Sequence, residues 1–166
     1  MAPFYEYIDE YRNLMRDGKI REVYIGLIEY VMELKTYFKN KYPDYFVSGN
    51  VYVGYMDMTY FSIVPQTLKQ RNLKIAIVFL HDAFRFEIWL AGYNKQIQSK
   101  YWKFFKEKNW TKYHLVDTTK NADSILEHIV VNEPDFSDLE VLTNQIEKEI
   151  LIFINEVESF LYQNAI

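Results

Sequence analysis

Two stretches near the N-terminus carry apolar residues at helical spacing. In residues 4–16 the apolar residues fall on one helix face, and Gly18 follows where a C-terminal cap residue in the left-handed conformation is expected. Residues 19–41 repeat them every three or four positions until Tyr42–Pro43, because the residue before a proline avoids helical angles. The two stripes are Phe4, Ile8, Tyr11 and Met15, then Ile20, Val23, Leu27, Val31, Leu34 and Phe38. The pattern predicts two helices that form a helical hairpin.

The middle of the chain has the composition of β-strands. Residues 50–64 are rich in Val, Tyr, Thr and Phe, and Gly54 indicates a bulge or a close approach of two backbones. Residues 73–80 and 84–91 predict a hairpin that turns at Asp82–Ala83. A two-residue turn pairs Phe79 with Phe86, Ile77 with Ile88 and Ile75 with Leu90. This face is wholly apolar, so we expect the long second helix to cover it.

The segments that flank the hairpin have weaker patterns. Residues 65–72 are polar and predict one helical turn, and residues 93–107 form an amphipathic helix. Residues 113–116 predict a short strand. Residues 124–131 fit either a strand or a short helix, and we favour the strand.

The last helix has the clearest start signal in the chain. Ser137 and Glu140 have the spacing of a capping box, and Phe136 and Val141 that of a hydrophobic staple. The stripe that follows is Leu142, Ile146, Ile150, Phe153, Val157 and Phe160. The sequence therefore predicts one α+β domain over residues 1–166. We expect an N-terminal helical hairpin, an antiparallel sheet of four to five strands, an amphipathic mid-chain helix and a long C-terminal helix.

Composition narrows the classes of function. The chain has 15 Tyr, 12 Phe and 3 Trp. So many tyrosines indicate either a core at whose edge the hydroxyls find hydrogen-bond partners, or a surface that binds another molecule. A formal net charge of −4 gives no overall attraction for nucleic acid or an anionic membrane. No cysteine is present, which excludes disulfides and thiolate chemistry. No signal peptide or run of about 20 apolar residues is found, so we expect a cytoplasmic protein.

Four segments resemble a small bacterial family of unknown function: residues 51–62 (VYVGYMDMTYFS), 84–94 (FRFEIWLAGYN), 122–128 (ADSILEH) and 132–136 (NEPDF). The resemblance extends over most of the chain. The resemblance implies a shared fold and a site near residues 84–94, and it implies no activity.

Glu87 is the most informative polar residue. It lies on the second face of the hairpin, where Val78 and Trp89 flank it and Arg85 is placed to pair with it. A partly buried ionisable group is a candidate functional residue. A structural salt bridge is the simpler interpretation of Arg85 and Glu87.

Asp57 and Glu87 also permit an enzyme hypothesis. An Asp on one strand and a Glu-x-Lys on another resemble the magnesium site of PD-(D/E)XK nucleases, but Trp89 stands where that motif has lysine. Lys95 on the following helix could replace the missing lysine of the motif, but a nearby lysine of this kind can be found in almost any sequence. We therefore keep a metal-dependent phosphodiesterase only as an alternative.

The remaining signals are weaker. Six lysines and five Tyr and Trp residues between residues 93 and 113 suit single-stranded nucleic acid, but their spacing is also that of an ordinary amphipathic helix. The histidines at 81, 114 and 128 lack metal-ligand spacing. We expect no cofactor, no metal, no nucleic-acid partner and no membrane partner.

The function we infer from the sequence is a small binding or interaction module rather than an enzyme. Its pocket is expected on the mixed face of the hairpin, and its ligand is a small molecule or a protein. The candidate ligand-binding residues are Tyr55, Asp57, Arg85, Glu87, Trp89 and Asn94. A second alternative is a structural protein that pairs two copies of the chain through its aromatic surface.

Overall fold

The computed structural model describes residues 2–47, 49–118, 120 and 122–164. A 3-10 helix at Phe4–Tyr7 precedes the helices α1 (Ile8–Met15), α2 (Lys19–Lys41), α3 (Gln66–Lys69), α4 (Lys95–Glu107) and α5 (Leu139–Gln163). The strands are β1 (Phe46–Val47), β2 (Met58–Val64), β3 (Leu73–Leu80), β4 (Arg85–Gly92), β5 (His114–Leu115) and β6 (Leu126–Asn132). The predicted α+β class is confirmed.

The strands form one antiparallel sheet in the order β1-β2-β3-β4-β6-β5. The described part of the chain thus has six strands where four to five were expected, and β1 and β5 have only two residues each. The predicted register of the central hairpin is confirmed: Phe79 pairs with Phe86, Ile77 with Ile88 and Ile75 with Leu90. Strand β3 ends at Leu80 and strand β4 begins at Arg85, so the loop that connects them has four residues rather than two.

The apolar face of the sheet, which we call the core face, packs against α2 and α5. Side chains from both helices join those of the central strands in one buried cluster. Tyr30 of α2 contacts Phe86 edge-to-face, and Phe38 of α2 contacts Phe61 of β2. The expectation that the second helix covers this face is confirmed, and α5 shares that role. Helix α4 joins the same core, where Phe105 stacks on Phe160.

The segment before β2 differs from the prediction of a long strand over residues 50–64. Only Tyr52 pairs with Tyr60 by an isolated bridge, and residues 55–57 bend before β2 begins at Met58. Gly54 explains the bend: its φ is +75°, and a Cβ there would lie 2.2 Å from the carbonyl oxygen of Met58. Glycine is therefore required by a close approach of two backbones, as the sequence suggested.

The start of α5 also differs from the prediction. Its N-cap is Asp138, whose side chain accepts a hydrogen bond from the backbone N–H of Val141 at 3.1 Å. The hydroxyl of Ser137 instead donates to Asp135 at 2.6 Å. The predicted capping box and staple are wrong, because a carboxylate one residue later takes the capping position. Phe136 packs edge-to-face on Tyr30, and Val141 is exposed.

The remaining elements agree with the expectations. The favoured strand over residues 124–131 is present as β6, and the short strand over residues 113–116 is present as β5. The helical turn expected in residues 65–72 is α3. Both N-terminal helices form, but no described residue of α1 is buried.

Candidate functional site

A cavity of about 420 Å³ opens on the sheet face opposite the core, which we call the pocket face. Strands β2, β3 and β4 form its floor, and the first residues of α4 and two loop segments form its rim. The lining residues are Tyr52, Met58, Tyr60, Lys74, Ala76, Val78, Trp89, Ala91, Gly92, Asn94, Lys95, Gln98, Ala122 and Asp123.

Strand alternation places these side chains together, because every second residue of a strand points to the same face. Val78 pairs with Tyr60 on one side and Glu87 on the other, while Ala76 pairs with Trp89. The central strand therefore presents small side chains between the larger ones of its neighbours. The concave shape of the pocket follows from this distribution of side-chain size.

Glu87 holds Trp89 and Arg85 in place beside the cavity. Its side chain is buried, with only 3% of the residue exposed. One carboxylate oxygen accepts the indole N–H of Trp89 at 2.9 Å, and the other accepts from the Arg85 Nε at 2.6 Å. A buried carboxylate needs such donors to offset the loss of hydration. The indole N–H of Trp89 is thus directed at the protein, which leaves the ring face for the cavity.

Two tyrosines form the opposite wall. Tyr52 and Tyr60 exchange backbone hydrogen bonds of 2.8 and 2.9 Å, and their ring centroids lie 5.0 Å apart. The isolated bridge before β2 therefore has a clear structural consequence, since it brings a loop tyrosine against the sheet. Rings at this separation support one another as an aromatic pair.

The start of α4 closes one end of the cavity. The Gln98 side chain accepts from the Gly92 N–H at 3.0 Å and donates to the carbonyl of Ala122 at 2.8 Å. Asn94 caps the helix by accepting from the Ile97 N–H at 2.9 Å. A Cβ on Gly92 would lie 2.5 Å from the Gln98 backbone nitrogen, so only glycine allows the strand and the helix to approach so closely.

The charges at the rim are predominantly positive. Lys74 and Lys95 line the cavity, and neither makes an ion pair within the described part of the chain. The ammonium of Lys74 lies 5.9 Å from the ring centroid of Tyr93. Asp123 is the acidic residue among the described lining.

The structure brings together four of the six candidate residues from the sequence. Trp89 and Asn94 line the cavity, and Arg85 and Glu87 support Trp89 from beside it. Tyr55 is outside the lining and 91% exposed, so the wall it was expected to form is provided by other tyrosines. Asp57 also lies outside, because it sits in the bend before β2 rather than in a strand.

The nuclease alternative requires the carboxylates of Asp57 and Glu87 at one metal ion, and the two residues lie on segments that β3 separates. Asp57 accepts the backbone N–H of Tyr55 at 2.8 Å, which lowers the pKa of its carboxyl. Asp57 directly precedes β2, and β3 lies between β2 and β4, so the backbones of Asp57 and Glu87 are separated laterally by two strand spacings, or about 9–10 Å. Among the described residues, no group of three or more His, Asp or Glu could hold a metal ion.

Of the Tyr and Trp rings in the basic and aromatic segment around α4, Tyr93 is more than half exposed and the others are buried or partly buried. Tyr101 and Trp110 are buried in the core, and the indole of Trp102 donates to the carbonyl of Val116 at 2.7 Å. The lysines Lys103 and Lys106 are exposed on the other side of the helix. The arrangement is that of an amphipathic helix packed on a core.

The sequence interpretation missed several lining residues. Lys74 was detectable, because the alternation that assigns Ala76 and Val78 to one face of β3 assigns it to that face as well. Tyr60 was not, because a continuous strand with Tyr55 and Asp57 on the pocket face turns Tyr60 to the opposite face. Tyr52 and Gln98 were not, since a loop conformation and a long-range hydrogen bond bring them to the site.

The fold and the cavity define an α+β domain with helices packed on one sheet face and a pocket on the other. Residues 4–161 match a family described as a domain of unknown function (DUF7000), and the chain belongs to this family. No curated protein and no solved structure matches the chain. Membership confirms the expected family of unknown function, and its bacterial origin stays a prediction.

The lengths and the apolarity of the helices bear on whether the chain could cross a membrane. Across the described ranges, α2 and α5 are the longest helices, and no helix combines the length and the apolarity that a bilayer crossing requires. The cytoplasmic location stays a prediction.

Proposed function

We propose that this domain is a binding module and that its ligand occupies the cavity on the pocket face. The observation that carries the proposal is the cavity of about 420 Å³ between the Tyr52–Tyr60 pair and Trp89. Sites for small molecules are concave, largely apolar and about 300–1,000 Å³ in volume. The cavity has that size, and rings and small aliphatic side chains dominate its walls.

The support behind Trp89 favours binding over a purely structural role. The Glu87 carboxylate satisfies the indole N–H of Trp89, as a structural tryptophan would also require, but here the carboxylate and the half-buried arginine fix the ring beside an open cavity. Fixing a ring in advance reduces the entropy lost when a ligand stacks on it. The arrangement is therefore suited to a ligand that contacts the indole face.

Ala76→Leu tests the proposal, because the longer side chain projects from β3 into the cavity and leaves the core face unchanged. We expect wild-type protein to gain roughly 5–10 °C in melting temperature with a ligand at about 100 times its Kd. In the variant that shift should shrink to about half or less, as affinity falls at least about tenfold. The measurement is a thermal-shift screen of metabolites, nucleotides and divalent metals on both proteins.

Ala83→Leu is the matched control, since it makes the same change in the exposed β3–β4 loop and should keep the wild-type response. Ala91→Leu fills the same cavity from β4 and serves if Ala76→Leu does not fold. A ligand whose shift is equal in all these proteins binds elsewhere and contradicts the proposal. A manganese- or magnesium-dependent shift lost in Glu87→Ala would instead favour the enzyme alternative.

Self-association is a second candidate, favoured by the exposed rings at the N-terminus. Phe4, Tyr5, Tyr7 and Tyr11 are all more than half exposed. If they pair two chains, light scattering should give twice the chain mass of 20.1 kDa, and Tyr5→Asp with Tyr11→Asp should restore the single mass. A wild-type mass of one chain contradicts this candidate and leaves the pocket proposal intact.

A further inference from the structure

We infer that the ligand of this pocket is a planar ring that carries an anionic group, a carboxylate or a phosphate. The inference deepens the proposed function and rests on it. The ring lies between Tyr60 and Trp89, and the anionic group is bound by Lys74 and Lys95.

The spacing of the aromatic walls fits one flat ring. Tyr60 is on β2 and Trp89 on β4, so the two backbones are separated laterally by two strand spacings, or about 9–10 Å. Tyr60 pairs with Val78 and Trp89 with Ala76, so they are also offset by two residues along the strands, and the total separation is about 12 Å. Aromatic rings in contact have centroids about 4.5–7 Å apart, so one ring that touches both walls needs roughly 9–14 Å between them. The floor between the walls is Ala76 and Val78, which are short enough to leave that space open.

The polar side chains that line the pocket narrow the chemistry of the ligand. The amide of Gln98 is occupied on both sides by backbone groups, and the Asn94 oxygen caps α4. Both Glu87 oxygens are occupied by Trp89 and Arg85. These fixed polar groups hold the pocket together. The two ammonium groups remain for a ligand, together with the hydroxyls of the tyrosine wall, the Asn94 amide nitrogen and the Asp123 carboxylate.

Lys74 points to an anion most directly. It is half-buried near the start of the interior strand β3, and Ala91 is its cross-strand partner, so no carboxylate faces it across β3 and β4. A lysine held in this way buries its aliphatic stem against the sheet and directs its charged end into the cavity opening. Lys95 at the start of α4 adds a second positive charge to the rim, against the single negative charge of Asp123. The local charge is thus positive in a chain of net charge −4.

The test compares pairs of compounds that share a ring and differ in charge. Nicotinate against nicotinamide probes a ring carboxylate, and adenosine monophosphate against adenosine probes a phosphate. Inorganic phosphate and acetate report binding of the anion without a ring. Affinities are measured by calorimetry and by quenching of tryptophan fluorescence, with Trp89→Phe to identify the part of the signal that Trp89 contributes.

Matched variants separate the lysines from general charge. Lys74→Gln and Lys95→Gln should each weaken the anionic compound about tenfold, because each removes a charge-assisted contact. Neither should change the affinity of the neutral partner. Lys103→Gln makes the same change on the exposed side of α4 and should leave both affinities as in wild type.

The results distinguish the inference from the proposed function. Tighter binding of an anionic ring, weakened by the two pocket lysine variants alone, supports the inference, and the better pair identifies carboxylate or phosphate. Equal affinity for the charged and the neutral ring of a pair overturns the inference. Affinity for inorganic phosphate or acetate equal to that for the anionic ring compound also overturns it. A screened ligand of another class whose binding Ala76→Leu abolishes also overturns it, and the proposed function stands. If no compound in the whole screen responds to Ala76→Leu, both are wrong.

Discussion

Replacing Glu87 with alanine is expected to lower the free energy of unfolding by about 3 kcal/mol, since removing one partner of a buried ion pair typically costs about 3–5 kcal/mol. The lower end applies because the Arg85 side chain is 33% exposed and keeps some hydration. The variant also leaves the indole N–H of Trp89 without its acceptor. Urea unfolding followed by circular dichroism at pH 7 measures the change as a shift in midpoint at constant m-value.

The double variant Arg85→Met with Glu87→Leu is the control for this loss. It replaces both charges with apolar side chains of similar length, which is often near neutral in stability. We therefore expect the double variant to be more stable than Glu87→Ala. Equal stability of the two would show that the charge left on Arg85 is not the cause.

Glu87→Ala should also weaken binding at a temperature where the variant is fully folded. Glu87 acts as a positioning residue, since it contacts the Trp89 nitrogen and not the cavity. An indole free to rotate must be ordered by the ligand, and that cost reduces affinity. A variant with lower stability and unchanged affinity for every pocket ligand would contradict this role and, with it, the case for a binding site at Trp89.

The central hairpin was predictable because its apolar alternation is strict. A shift of one residue in register would turn Phe79 and Phe86 out of the core, so only one pairing buries both. The same alternation in the sequence alone assigned Arg85, Glu87 and Trp89 to a common face, and the register of β3 and β4 agrees with it. Strand periodicity thus determines which side chains are neighbours within the sheet.

The rest of the pocket depends on parts of the chain where periodicity carries no information. Tyr52 reaches the sheet through the bend at Gly54, and Gln98 through its bond to the loop carbonyl of Ala122. Periodicity is also silent about partners. The apolar stripe of α1 predicts a helix correctly, yet Phe4 and Tyr11 remain exposed, because a stripe shows which face is apolar and not what covers it.

A second large effect is expected far from the pocket, at Glu147 on α5. Only 8% of this residue is exposed, and its carboxylate accepts from the hydroxyls of Tyr37, at 2.6 Å, and Tyr42. The ammonium of Lys41 lies 2.7 Å from it. Glu147→Leu removes these charge-assisted bonds between α2 and α5, and we expect a loss of about 3 kcal/mol at pH 7. Urea unfolding of the two proteins measures this loss.

The loss should depend on pH in a direction that the contacts determine. Burial raises the pKa of the Glu147 carboxyl, but the hydrogen bonds from Lys41, Tyr37 and Tyr42 outweigh burial and hold the pKa below its usual value. A carboxyl with a lowered pKa in the folded state stabilises that state above its unfolded pKa of about 4.3, and this contribution is lost as the pH falls through the folded pKa.

The difference in unfolding free energy between wild type and Glu147→Leu should therefore be constant from pH 7 to about pH 5 and shrink below about pH 4. Glu140→Leu is the control on the same helix, because its exposed side chain should give a small and nearly constant difference. A Glu147→Leu difference that does not shrink at pH 3 would mean that packing, and not the charged carboxylate, holds α2 against α5.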